Sequence, residues 1–237
     1  MTDLATALSV SDASSRTVPE YLKNTYRWAY LDARTAPILD RHLVVQAILW
    51  GNADRLMDRA IAEFSPGDHV LQPAAVYGNF SQRLAAHLGP EGRLQVSDIA
   101  PLQVALTRRK LAAYPNAKVV RANAASPASG TYDGVCCFFL LHEVPGPFKR
   151  QIVNSVLASL QPGGKAVFVD YHRPGRFHPL RPIMKAVFHL LEPFAEELCA
   201  SEIRKYADGA EGFAWSKETA FGGLYQIVIA RKPAEPR

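Results

Sequence analysis

Cysteine is scarce in this chain of 237 residues: there are three, two of them adjacent at Cys136-Cys137 inside an apolar run. So few, so placed, they neither staple a disulfide scaffold nor supply the spaced pairs of a zinc site, and a reducing cytosol is the compartment they suit. Long apolar runs are also missing, since charge or proline interrupts each stretch short of the ~20 residues that a membrane-spanning helix needs. A membrane, if one matters, is touched from one side. The amino terminus carries Asp3 before any base and has no basic flank or apolar block of a secretion signal, so no export is expected. Internal repeats and low-complexity blocks are absent, which excludes solenoids and disordered tracts. The basic excess is small, 27 Lys and Arg against 22 Asp and Glu for a net +5. It suits an anionic ligand, a nucleic acid or an anionic lipid surface without choosing among them.

What the chain does have is the composition of an ordinary soluble globular protein, 48% hydrophobic with 15 Gly and 17 Pro. At this length folding buries roughly 70–75% of the unfolded chain's surface, so a core forms without a structural metal. Residues 1–18 are polar and Ser/Ala-rich and read as a flexible tail. Residues 19–66 form an amino-terminal helical cap, with Leu43, Ile48, Leu49, Leu56, Met57, Ala60, Ile61 and Phe64 near helical spacing and a stop at Pro66-Gly67. Strand-like and helix-like segments then alternate across residues 67–237. Strands are expected at His69–Ala75, Arg93–Ile99, Lys118–Ala122, Gly134–Leu141 and Lys165–Asp170, and helices at Phe80–Leu88, Pro101–Ala113 and Lys149–Leu160. This order predicts an α/β, doubly wound, mostly parallel sheet. A helical insertion occupies residues 173–212, and a closing hairpin of Lys217–Thr219 with Leu224–Arg231 adds antiparallel strands around Gly222-Gly223. Seven strands laid out this way are the class I methyltransferase-like, Rossmann-like arrangement, which binds S-adenosylmethionine.

In such a sheet ligands sit beyond the carboxyl ends of the strands, so the residues after each strand are the candidates. The first turn, Ala74-Ala75-Val76-Tyr77-Gly78-Asn79, keeps one glycine. Gln72 stands where an acid is common, and Val76 and Tyr77 stand where small residues let a cofactor approach bare backbone. Asp98 ends the second strand, where a carboxylate accepts ribose hydroxyls; its other reading is an anion at the start of the helix beginning at Pro101. Asn123 follows the third strand and is placed to read an adenine edge, or is a loop amide. The fourth and fifth strands end in His142-Glu143 and in Asp170-Tyr171-His172. Each end pairs a His with a carboxylate, polar groups that a cleft uses and a core does not tolerate. Some subset of His142, Glu143, Asp170 and His172 suits a divalent ion such as Mn²⁺ or Mg²⁺. The alternatives are pocket lining for the first pair and capping or loop bonding for the second. Arg173, Arg176, Arg181 and Lys185 then meet no acid until Glu192, beside apolar Ile183, Met184, Val187, Phe188, Leu190 and Leu191. This stretch is a membrane-surface helix, a roof over a lipophilic substrate, or an ordinary docked helix. Stacking aromatics do not interleave with the bases, and no finger or RNP-like motif occurs, so nucleic acid is not an expected partner. The sequence sets no oligomeric state.

Trp28-Ala29-Tyr30-Leu31, Val76-Tyr77-Gly78, Phe138-Phe139-Leu140-Leu141-His142-Glu143, Val169-Asp170-Tyr171-His172-Arg173-Pro174, His178-Pro179-Leu180-Arg181 and Phe221-Gly222-Gly223-Leu224-Tyr225-Gln226 resemble the rhodoquinone-biosynthesis methyltransferase-like family, from about Tyr21 to Arg231. That family is a relative of the ubiquinone and menaquinone C-methyltransferases. The resemblance implies conversion of ubiquinone to rhodoquinone, a ring methoxy being exchanged for an amino group, with S-adenosylmethionine as amino donor and manganese as metal. It implies catalytic roles for His142, Glu143, Asp170 and His172, cofactor contacts from Gln72, Val76, Tyr77, Gly78, Asp98 and Asn123, and substrate contacts from Tyr171, His178, Arg181 and Tyr225. A cytoplasmic protein peripheral to the inner membrane follows from a lipophilic quinone substrate. The chain departs from the family's pattern at Asn79 and Asn123, where aspartate is frequent. Methyl transfer to a quinone or another lipophilic molecule, and a non-catalytic cofactor- or lipid-binding homologue, are the other readings.

Overall fold

The computed structural model describes residues 17–126, 128 and 130–235. The tail expected over residues 1–18 lies outside these, apart from its last two positions. The expected sheet is present, with seven strands in the order β3-β2-β1-β4-β5-β7-β6. They are β1 His69–Gln72, β2 Arg93–Asp98, β3 Ala117–Arg121, β4 Tyr132–Phe138, β5 Leu160–Tyr171, β6 Ala214–Ala220 and β7 Tyr225–Arg231. The first five run parallel, and β7 pairs antiparallel with both β5 and β6. The chain order reverses between β1 and β4, which places a crevice at their carboxyl ends.

Local chemistry accounts for the elements. The apolar run of β4 is buried on both faces, because helices cover each side of a parallel sheet. Cys136 and Cys137 sit inside it, and burial raises both thiols, so they behave as inert core. Helices α1 Glu20–Thr25, α2 Ala36–Leu39, α3 His42–Ile48 and α4 Ala53–Ile61 precede the sheet, with a wide turn of helix at Arg27–Leu31 after α1. α4 buries Leu56, Met57, Ala60 and Ile61, and Phe64 just beyond it lies on β4. That contact requires glycine at Gly134, where a Cβ would stand 2.3 Å from the Phe64 ring. Helices α5 Phe80–Leu88, α6 Pro101–Lys110 and α7 Gly146–Ala158 are the crossovers, and Pro at the start of α6 supplies a preset φ where no N–H is needed. Between β5 and β6 lie α8 Arg181–Leu191, α9 Ala195–Cys199 and two short helical turns. Phe80 stacks on Phe138 with centroids 4.3 Å apart, tying α5 to β4 directly beneath the crevice.

Candidate active site

The β1 loop shows how the crevice is made with a single glycine. Gly78 has φ +79, a conformation glycine adopts without strain, and its N–H donates to Asp40 Oδ1 at 3.0 Å. Lys110 from α6 closes the loop by donating to Asp40 Oδ1 at 2.7 Å and to the carbonyls of Val76 and Gly78 at 3.0 and 3.1 Å. Tyr77 stacks on Tyr30 with centroids 5.4 Å apart; its hydroxyl donates to the Ala29 carbonyl and accepts from Gln103 at 2.9 Å. The helical cap is thereby pinned over the loop.

Beyond the strand ends lies a cavity with about 1330 Å³ of empty space out to its mouth. Val76, Tyr77, Asp98, Asn123, His142, Glu143 and Tyr171 line it, as do Tyr21, Tyr26, Trp28, Tyr30, Phe139 and Glu192. Phe139 holds φ +51, a left-handed conformation unusual outside glycine, at the point where β4 turns into the crevice.

Asp98 accepts the backbone N–H of Ala75 at 3.0 Å and of Ala100 at 2.7 Å, one on each carboxylate oxygen. A carboxylate has about four lone-pair sites, so it keeps capacity for ligand hydroxyls. Burial pushes its pKa up to about 6. Asn123 accepts from the Ala125 N–H at 3.0 Å. These residues fit the ribose and adenine of S-adenosylmethionine.

At the far end His142 Nδ1 donates to Asp170 Oδ1 at 2.8 Å, leaving Nε2 toward the cavity, 3.7 Å from Glu143 Oε1. Burial opposes charge on this imidazole, but Asp170, then Glu192 and Glu143, hold its pKa at about 9. Asp170 also accepts the N–H groups of Leu141 at 2.8 Å, His142 at 3.3 Å and Tyr171 at 2.7 Å. It does not line the cavity, so it fixes the β4 turn and orients the imidazole from behind. Glu143 accepts from the Tyr30 hydroxyl, and Glu192 accepts from Tyr26 at 2.7 Å. Burial raises both carboxyls, Glu143 to about 8, with the His142 cation opposing the rise without cancelling it.

Several expected site residues stand elsewhere. Gln72 is buried behind the loop, accepting from Ser81 at 2.9 Å and donating to the Ala74 carbonyl at 2.7 Å. His172 turns away from the cavity, with Nδ1 2.9 Å from the Gly223 carbonyl and Nε2 3.0 Å from Lys217 Nζ. His178 packs on Phe221 and accepts from the Leu180 N–H, and Arg181 is exposed with its guanidinium on the Arg176 carbonyl. Tyr225 is fully buried behind Tyr171 and Phe139. His172 lies beyond the end of β5 at Tyr171, where strand alternation no longer sets its direction and its imidazole is held on the Gly223 carbonyl. With His172 gone, and with Nδ1 of His142 and both Asp170 oxygens committed, the expected metal set does not converge. Among the described residues no group of three or more His, Cys, Asp or Glu side chains is placed to hold an ion, so these residues do not fit manganese.

Tyr21, Tyr26, Tyr30, Glu192, Asp40 and Lys110 were not marked by strand-end reasoning. They come from the cap, the insertion and the far end of α6. The tyrosine spacing in the cap is the one local signal that points to them.

Sheet order and crevice together define the class I methyltransferase-like, Rossmann-like fold, and residues 70–164 match the family model described as "Methyltransferase domain". The chain is 27% identical over 176 residues to the ubiquinone/menaquinone biosynthesis C-methyltransferase of Ectopseudomonas mendocina, covering 69% of this chain and 66% of that one. It is 30% identical over 154 residues to the enzyme of the same name from Klebsiella pneumoniae subsp. pneumoniae, covering 61% of this chain and 59% of that one. The chain thus spans about three-fifths to two-thirds of the length of these relatives. Among solved structures, the N-methyltransferase NodS from Bradyrhizobium japonicum, in complex with S-adenosyl-L-homocysteine, aligns with TM-score 0.56 at 12% identity over 85% of this chain and 93% of its own. An O-methyltransferase family protein from Burkholderia thailandensis aligns with TM-score 0.57 at 14% identity, covering 82% and 60%. Among the described residues no helix is long and apolar enough to cross a membrane.

Proposed function

We propose that the protein is an S-adenosylmethionine-dependent transferase acting on a quinone ring, and that it exchanges a ring methoxy group for an amino group. The observation that carries the reading is the β1 loop. Val76 and Tyr77 put bulk at the turn where methyl donors rest on bare backbone, in an aromatic cavity that the His142 imidazole also lines. When bound, S-adenosylmethionine supplies the amino nitrogen for the ring carbon that bears methoxy.

The chain's own residues do the rest. Tyr26, Tyr30, Phe139 and Tyr171 wall a flat ring, and the cap excludes water from it. His142, cationic below about pH 9, presents an Nε2 proton to a ring carbonyl oxygen and draws charge from the ring. Glu143 borders the same space, and above about pH 8, where burial has moved its ionisation, it is the base that takes a proton from an incoming ammonium. Forming the ring C–N bond and breaking the ring C–O bond would release methoxide, which leaves as methanol with that proton; water would then break the remaining N–Cα bond while the quinone ring takes up that bond's two electrons, giving the amino group on a reduced ring and the donor as its 2-oxo acid. The cation polarising the ring is thus the imidazolium.

The relatives named for quinone C-methylation favour a second reading, methyl transfer on the same ring. One experiment separates them: incubate the protein with ubiquinone and S-adenosylmethionine carrying ¹⁵N at the α-amine and ¹³C at the methyl, and analyse the quinone by mass spectrometry. Amination places ¹⁵N in the ring product with loss of a methoxy. A ¹³C methyl without ¹⁵N overturns the first reading in favour of the second.

A further inference from the structure

The segment 173–191 carries two apolar stripes, and the core uses only one of them. Met184, Val187 and Phe188 point inward, and Phe188 packs on Tyr171 with centroids 5.2 Å apart. Ile183, Leu190 and Leu191 lie on the outer side, and Leu190 is 74% exposed. Phe177, in the loop before the helix, is 90% exposed and touched by the Arg176 guanidinium at 5.5 Å. Arg173, Arg176, Arg181 and Lys185 are all exposed, and none forms an ion pair with any described residue. The first acid after them, Glu192, turns inward to Tyr26.

That same hydrogen bond joins the segment to the cap, where a second apolar group is exposed: Trp28, Ile38, Leu43, Ile48 and Trp50, with Leu43 82% exposed. Trp28 and Ile48 also line the cavity, so its rim is itself apolar. Exposed apolar side chains in this number mark a surface that water does not normally cover.

We infer that segment 173–191 and the outer face of the cap form a docking surface for an anionic bilayer, against which the cavity's rim rests. A second copy of the chain would cover the apolar groups but would bring four unpaired bases against their own equivalents across a two-fold interface, which is repulsive. A nucleic acid would pair the bases and leave Phe177 and Leu190 in water. An anionic lipid surface satisfies both sets at once, the bases at phosphate level and the apolar side chains among the acyl chains. The inference stands whichever group is transferred in the cavity, and its failure leaves that chemistry untouched.

The test is co-sedimentation of the full chain with vesicles of equimolar phosphatidylcholine and phosphatidylglycerol, beside vesicles of phosphatidylcholine alone, with tryptophan emission recorded. Binding is expected to the anionic vesicles, to weaken with added salt, and to shift tryptophan emission to the blue as Trp28 and Trp50 leave water. Neutralising two bases in R176Q/R181Q weakens it about 30-fold, and F177S/L190S weakens it with the charge intact. All four positions are exposed, so Tm is expected to stay at the wild-type value, which keeps loss of binding distinct from loss of fold. Equal binding to both vesicle types, or affinity unchanged in both double variants, overturns the inference. So does a dimer in sedimentation velocity that F177S/L190S dissolves, which would assign the face to a second copy. Bound protein with unshifted tryptophan emission overturns the cap's share of the face.

Discussion

Replacing Asp170 with Asn tests whether the imidazole's charge is set from behind, as its position implies. An Asn is close to isosteric, and its side-chain oxygen still accepts the N–H groups of Leu141 and His142, so the β4 turn keeps partners that Ala would remove at about 1–3 kcal/mol each. What goes is the negative charge 2.8 Å from His142 Nδ1. The pKa of His142 stands at about 9 against an ordinary value of about 6.5, and each unit is worth about 1.4 kcal/mol, so some 3 kcal/mol favours the cation. Burial opposes that charge, and Asp170 is the largest influence upholding it. In D170N the pKa is therefore expected to fall by at least about one unit, so that the imidazole loses its charge through about pH 8 or below instead of about 9. The stability linkage has a definite sign. A raised histidine pKa stabilises the fold fully below about 6.5, and that contribution fades as pH rises through about 9. Wild type should then exceed D170N most in urea unfolding near pH 6, with the gap narrowing toward pH 9. Transfer should fall by about 10²–10⁴, the usual share of a proton donor. Histidine NMR titration of ¹⁵N-labelled protein reads the pKa directly. A His142 titration unmoved in D170N, or an unchanged kcat, refutes the role assigned to the pair.

Asp98, raised to about 6 by burial, should hold ligand hydroxyls only when ionised. Calorimetric affinity for S-adenosylhomocysteine is therefore expected to fall about tenfold for each pH unit below 6, and a flat profile to pH 5 would remove Asp98 from the ligand. Tyr77→Phe keeps the stack on Tyr30 but deletes the hydroxyl's bonds to Ala29 and Gln103. Amide exchange over residues 27–31 should quicken by about 1–2 kcal/mol of protection, and unchanged exchange would mean the stack alone holds the cap. Lys149 is fully buried and donates to the carbonyls of Val144 and Phe194, so Lys149→Met should cost about 2–4 kcal/mol in urea unfolding; a neutral result would show that both carbonyls find other donors.

The alternation of β4 and β5 with α7, and the apolar run at Cys136-Cys137, made the parallel sheet legible, because strands buried on both faces have a pattern that solvent-facing strands lack. The strand-end rule likewise reaches Val76, Tyr77, Asp98, Asn123, His142 and Glu143, each of which lines the cavity. It does not reach the cavity at Gln72 and His172, for one reason. A residue's distance along the chain from a strand end does not say which way its side chain leaves, and β5 ends just before His172. It is silent about Tyr26, Tyr30 and Glu192, whose place depends on a cap and an insertion meeting through the hydrogen bonds Tyr26–Glu192 and Tyr30–Glu143. Contacts between residues separated by 166 and 113 positions have no local signature.

Those two bonds also explain how a loop with one glycine is tolerated. A glycine-rich turn makes room for a ligand by lacking side chains; here the turn carries Val76 and Tyr77, and the room is made on the opposite wall. The cap stands off from β1 because Tyr77 props it through Tyr30, while Lys110 and Asp40 brace the loop from beneath. Buried acids ordinarily repel one another and shed charge, yet Glu143 and Glu192 each hold a tyrosine hydroxyl and share the His142 cation. The cap is therefore bonded to the same side chains that would act on a ring. A substitution confined to the cap, Tyr30→Phe, should accordingly raise the Glu143 pKa further, since the Tyr30 bond lowers it, and slow transfer without touching any strand end. Infrared titration of the carboxyl band reads that shift, and a Glu143 band unmoved in the variant would show that the cap merely covers the site.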